Sequence, residues 1–142
     1  MAHNIREIMT SDVKTVGLKE DIRTVAALMR DSDVGVIPVV EGDRCVGLVT
    51  DRDIVVRGIA ENKHKQSFTV EDVLSKRIIS VKPDTSIKEA AKLMADEQIR
   101  RLPVLENDKL VGIVSMADLA LDEHSKDEAE LAVSGVSQPT SR

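Results

Sequence analysis

The chain repeats itself. Shifted by 65 residues, it lies over itself without a gap across residues 5–54. Val16 then meets Val81, Ile22 meets Ile87, Ala26 meets Ala91, and Leu28-Met29 meets Leu93-Met94. Pro38 meets Pro103, Gly47 meets Gly112, and Asp53 meets Asp118. Self-similarity at a fixed long period marks supersecondary units that bury their apolar faces against neighbours. One repeat of about 50 residues buries too little surface to hold a convincing core alone. The expectation is one domain built from two related units. Its divisions are repeat 5–57, a polar linker 58–69, repeat 70–121 and a charged tail 122–142 that extends the last helix before fraying.

Within each repeat the periodicity changes in a set order. A short helical turn comes first, with Asn4/Glu7 and Thr69/Asp72 placed as N-cap pairs. A short strand is predicted at 13–16 and again at 78–81. Ile22, Val25, Ala26 and Met29, then Ile87, Ala90, Ala91 and Met94, have the i, i+3, i+4, i+7 spacing of a buried helix stripe. Ser86 with Glu89 forms a capping box for the second of these helices. Strands 36–40 and 45–50 are joined by a turn holding Gly42 and Asp43, and strands 102–105 and 110–115 by one holding Asn107 and Asp108. A last helix starts near Thr50 or Ser115. The fold class is α/β (α+β): two βαββα repeats packed sheet to sheet with pseudo-twofold symmetry.

Composition removes several functions. Phe68 is the one aromatic residue, so the core is aliphatic and no stacking platform for single-stranded nucleic acid exists. A net charge of -5 argues against a polyanion binder. Cys45 is the only cysteine, which excludes an intrachain disulfide and points to a reducing, cytoplasmic location. No apolar run approaches the roughly 20 residues of a membrane span. His3, His64 and His124 lack ligand-like spacing, so no metal site is expected. No nucleophile–base pair, paired carboxylates or phosphate loop stands out, which argues against an enzyme.

The motif that remains is Gly47-Leu48-Val49-Thr50-Asp51-Arg52-Asp53, repeated as Gly112-Ile113-Val114-Ser115-Met116-Ala117-Asp118. It sets a hydroxyl where a strand hands over to a helix, and a carboxylate three residues on. Two roles fit. The pairs Thr50/Asp53 and Ser115/Asp118 match capping boxes. The same groups suit a nucleotide, with helix-start N–H groups facing phosphate and a carboxylate accepting from ribose hydroxyls. Arg100-Arg101, whose equivalents are Gly35-Val36, are either surface charges or phosphate donors.

Taken with Ile37-Pro38-Val39-Val40, Leu102-Pro103-Val104-Leu105, Ile8-Met9-Thr10 and Val73-Leu74-Ser75, these motifs resemble the CBS-domain family in its tandem, or Bateman, arrangement. The resemblance covers about residues 5–121. It implies a regulatory, non-enzymatic module that binds an adenosine-containing ligand (AMP, ADP, ATP or S-adenosylmethionine) in clefts between repeats. It also implies a homodimer and an output to an effector protein in trans. Carried over, the first site takes Thr50, Arg52 and Asp53 with Ser80, Val81, Arg100 and Arg101. The second takes Ser115 and Asp118 with Thr15, Val16, Gly35 and Val36. The arginines then make the first site the one for phosphorylated ligands. The alternative is a structural, dimerising module whose sites are vestigial.

Overall fold

The structure, a computed structural model, describes residues 4–61 and 67–122. His3, His64, His124 and the tail beyond Asp122 lie outside these. The chain divides into two compact units whose limits are not those of the repeats. One spans Lys14–Ile78; the other joins the residues up to Val13 to those from Ile79 onward. Each repeat's opening turn therefore belongs to the unit that carries the other repeat's hairpin.

In the Lys14–Ile78 unit, helix α1 (Ile22–Ser32) precedes a hairpin of β1 (Val36–Glu41) and β2 (Arg44–Thr50). Helix α2 (Asp51–Asp53) follows at once and runs on as a π-helix over Ile54–Ala60. The short helix α3 (Val70–Val73) completes the unit. The other unit holds a 3-10 turn (Ile5–Glu7), helix α4 (Ile87–Glu97), a hairpin of β3 (Arg101–Glu106) and β4 (Lys109–Ser115), and helix α5 (Met116–Leu121). Asp122, already extended, closes α5. The hairpins share one register: Val36 faces Thr50 and Pro38 faces Leu48, as Arg101 faces Ser115 and Pro103 faces Ile113. Both shift register late, at Val39/Val40 and at Val104/Leu105.

The strand expected before each long helix shrinks to one bridging residue, Val16 against Val39 and Val81 against Val104. Proline is the reason. Val16 donates to the Pro38 carbonyl (3.2 Å) and accepts from Val40 N–H (2.9 Å). In a parallel ladder the next rung toward residue 14 needs an N–H from residue 38, and Pro38 has none. Val81 is placed identically against Pro103 and Leu105.

The caps differ from expectation in part. Asn4 makes no side-chain cap bond. At Ser86 the hydroxyl accepts from Glu89 N–H (3.1 Å), which is half of a capping box. The Asp72 carboxylate accepts from Thr69 N–H (3.0 Å). Asp21, not foreseen as a cap, accepts from Arg23 N–H and starts α1. Both long helices end on a left-handed residue, Asp33 (φ 53°) and Gln98 (φ 54°). The following N–H groups, of Val34 and Ile99, donate to the Met29 and Met94 carbonyls at 3.0 Å.

Each unit has its own aliphatic core. Ile22, Val25 and Met29 of α1 pack with Ile37, Val39, Val49, Ile54, Val70 and Val73. Ala26, placed in that stripe by periodicity, is exposed. In the other unit Ile87, Ala90, Ala91 and Met94 pack with Leu102, Val104, Val114, Leu119 and Ile5. Ile5 is 0% exposed, so the chain's opening turn is a core element of this unit.

Candidate functional site

At the end of β2, Thr50 turns extended (φ -114°, ψ 161°) and α2 begins. Its hydroxyl accepts from Asp53 N–H at 3.0 Å, and the Asp53 Oδ2 accepts from Thr50 N–H at 3.1 Å. Ser115 and Asp118 build the same reciprocal pair at the end of β4, at 3.1 and 2.8 Å. Both boxes are complete, so the capping role of all four residues is a feature of the structure. The boxes use one oxygen of each carboxylate. The Asp53 side chain remains 15% exposed.

Each box stands beside the start of the partner strand in its own hairpin. Asp51 N–H donates to the Gly35 carbonyl (3.0 Å), and Met116 N–H to the Arg100 carbonyl (2.8 Å). One unit thus brings together Gly35, Val36, Thr50, Arg52 and Asp53. The other brings together Arg100, Arg101, Ser115 and Asp118. Thr15-Val16 and Ser80-Val81 lie further along, since Val16 and Val81 bridge the middle of β1 and β3. Ser80 and Val81 also line a concave surface of about 560 Å3 with Thr85, Glu89, Leu93 and Asn107 at the turn end of the second hairpin. The first residue set implied by the resemblance therefore draws Thr50, Arg52 and Asp53 from one unit and Ser80, Val81, Arg100 and Arg101 from the other.

The two corners differ in charge. Around Thr50 stand two carboxylates. An added Cβ on Gly35 would come within 3.2 Å of Asp51 Oδ2, so the missing side chain leaves that carboxylate its place. Arg52 is exposed. Two arginines, Arg100 (exposed) and Arg101, stand at the start of the strand opposite Ser115, and Met116 stands where the other corner has Asp51. Arg101 sits directly across from Ser115 and is partly buried. Neither arginine makes a side-chain hydrogen bond or ion pair among the described residues. Donors held near a backbone corner without an internal partner suit an anion from outside.

One cation near Asp53 was not singled out in the sequence. Arg57 Nε lies 3.9 Å from Asp53 Oδ1, and its Nη1 donates to the Leu74 carbonyl at 3.1 Å. The i, i+4 spacing of Asp53 and Arg57 was the available signal. Elsewhere, Cys45 is buried, and burial pushes its thiol up, away from thiolate chemistry. No cluster of three or more His, Cys, Asp or Glu residues suited to a metal ion occurs among the described residues. No helix among them is long and apolar enough to cross a membrane.

Comparison with known proteins gives a concordant result. The model of the CBS domain family matches residues 5–58 and 70–122. The CBS domain-containing protein YhcV of Bacillus subtilis is 40% identical over 134 residues, covering 94% of this chain and 95% of its own length. The crystal structure of Hypoxic Response Protein I, with two coordinated zinc ions, superposes with a TM-score of 0.73 at 37% identity, over 84% of this chain and 98% of that one. CBSX2 in complex with AMP gives a TM-score of 0.72 over 82% and 93%. At 24% identity that last likeness is one of fold.

Proposed function

The chain belongs to the CBS-domain family as a tandem pair, and on that premise we propose that it is a regulatory module that binds an adenosine-containing ligand, AMP, ADP or ATP in type, and signals to an effector protein in trans. The observation that carries this is Arg100-Arg101, without a side-chain partner among the described residues, at the start of the strand opposite the Ser115/Asp118 box. The AMP complex of the fold relative CBSX2 supports the ligand class. Asp53 and Asp118 accept from ribose hydroxyls. Thr50 and Ser115 hold the first phosphate, and Arg100 and Arg101 donate to phosphate oxygens. The buried single cysteine fits a cytoplasmic setting.

Calorimetry with two ligands tests this. Asp53→Ala should weaken adenosine and AMP alike, because both carry the ribose. Arg101→Ala should lower AMP affinity about tenfold, or 1.4 kcal/mol, and leave adenosine unchanged. Equal losses for both ligands would make Arg101 structural. The completeness of both capping boxes favours a second reading, a dimerising module with vestigial sites. Under that reading no adenine nucleotide raises the melting temperature, since only a ligand of the folded state does so.

The module is also proposed to be a homodimer. Val55 (56% exposed) and Ile59 (61%) lie one turn apart on the helix after Thr50, next to Val56, and form an apolar face. Sedimentation should give twice the 15.5 kDa chain mass, and Ile59→Asp should give monomers. A wild-type chain that sediments as a monomer at every concentration would refute the dimer.

A further inference from the structure

The two boxes match in every hydrogen bond, yet only one has a cation one turn on. Position 57 is arginine, and its counterpart at the 65-residue offset is Asp122. Resting on the adenosyl-ligand reading above, we infer that Arg57 is the positioning residue of Asp53 and makes the Asp53 corner a diol acceptor distinct from the Asp118 corner.

The argument runs from how each group is held. The Asp53 Oδ2 is occupied by Thr50 N–H, which leaves Oδ1 as the oxygen able to receive a further donor. Arg57 Nε stands 3.9 Å from that oxygen, beyond hydrogen-bond length but within ion-pair distance. The guanidinium does not follow the carboxylate freely, because its Nη1 is tied to the Leu74 carbonyl. Leu74 is itself anchored: its neighbour Ser75 exchanges two backbone bonds with Leu48 of β2, at 2.8 and 2.9 Å. A chain of fixed groups thus sets the charge beside Oδ1. Next to Arg57, Gly58 lies so close to the Phe68 ring that an added Cβ would collide with a ring carbon. The backbone that carries Arg57 is seated by that contact.

The pair is a poor candidate for a stability role. Its arginine side chain is 48% exposed, and a solvent-screened i, i+4 pair contributes little to folding. Its effect falls on the direction of Oδ1. A vicinal diol offers two O–H donors to that oxygen and gains from a carboxylate whose orientation is already set.

The test uses the full chain with Asp118→Ala, so that one corner is read. Adenosine and AMP are titrated by calorimetry against Arg57→Ala and Arg57→Lys. Arg57→Ala should weaken both ligands by the same factor, about three- to tenfold. Arg57→Lys, which keeps the charge, should recover most of the loss. In an Asp53→Ala background Arg57→Ala should change nothing further. A loss confined to AMP would overturn the inference, since it would mean direct phosphate contact. An effect that persists without Asp53, or no effect beside normal wild-type binding, would also overturn it. A wild-type chain that binds neither ligand would overturn the functional reading, and this inference with it.

Discussion

A chain that lacks residues 1–13 should lose most of its stability. These residues precede the first long helix and would pass for a dispensable leader. Yet Ile5 is fully buried in the core with Ile87, Met94, Leu102 and Leu119. The segment also donates from Ile5 N–H to the Thr85 carbonyl and from Arg6 N–H to the Pro83 carbonyl, at 3.0 and 2.9 Å. Thr10 exchanges two further bonds with Ile113 of β4, at 2.8 and 2.9 Å. Removing one buried isoleucine side chain costs about 2–5 kcal/mol, and each backbone bond about 0.5–1.5 more. The deletion should therefore cost at least about 4 kcal/mol, against a typical total of 5–15. The chain has no Trp or Tyr, so far-ultraviolet circular dichroism in urea is the suitable measurement. Ile5→Ala alone should lower the midpoint by a smaller amount. An unchanged midpoint for the deletion would show that the opening turn is not a core element.

Alanine at Gly47 or Gly112 should be strongly destabilising for a single-methyl change. At Gly47 the new Cβ would stand 2.6 Å from Leu74 Cδ1 and 2.7 Å from the Ser75 carbonyl oxygen. At Gly112 it would stand 2.7 Å from Met9 Sδ and 2.9 Å from the Thr10 oxygen. The leucine and methionine ends can turn aside. The carbonyls cannot, because each is held by a pair of backbone bonds to the residue after the glycine. The strain should cost about 2–3 kcal/mol at each site. Gly17→Ala is the control: nothing lies within 4 Å and its φ is not positive, so the change should be neutral or slightly stabilising. Equal urea midpoints for Gly17→Ala and Gly47→Ala would refute the close approach. The glycine of the Gly-x-x-Thr/Ser-x-x-Asp motif is then a packing requirement, while the hydroxyl and carboxylate form the capping box.

Local features were legible because their causes are local. The stripe Ile87, Ala90, Ala91, Met94 follows from helix period alone, and all four residues are buried. The boxes Thr50/Asp53 and Ser115/Asp118 need only three residues between partners, and both form. Each hairpin's turn lies where its Gly, Asn and Asp residues put it. The single-residue bridge at Val16 was also within reach, since Pro38 removes the N–H that a longer strand needs.

Two matters were not local. Residues 5–9 and 70–74 give the same sequence signal, and nothing in either says which hairpin it will cover. Ile5 could in principle have packed on β2, and Val73 on β4. The folded chain places Ile5 with β3 and β4 and Val73 with β1 and β2. That choice depends on how the whole chain runs between the two cores, and it alone explains why Gly47 must clear Ser75 and Gly112 must clear Thr10. The partnership of Arg57 with Leu74, 17 residues away, has the same origin. By itself, the sequence determined the repeat, its long helices and hairpins and the two hydroxyl–carboxylate boxes, because period and short-range hydrogen bonding decide these within a few residues. Tertiary structure decided which opening turn closes which core and which cation stands by which carboxylate, because these depend on contacts between segments far apart in the chain.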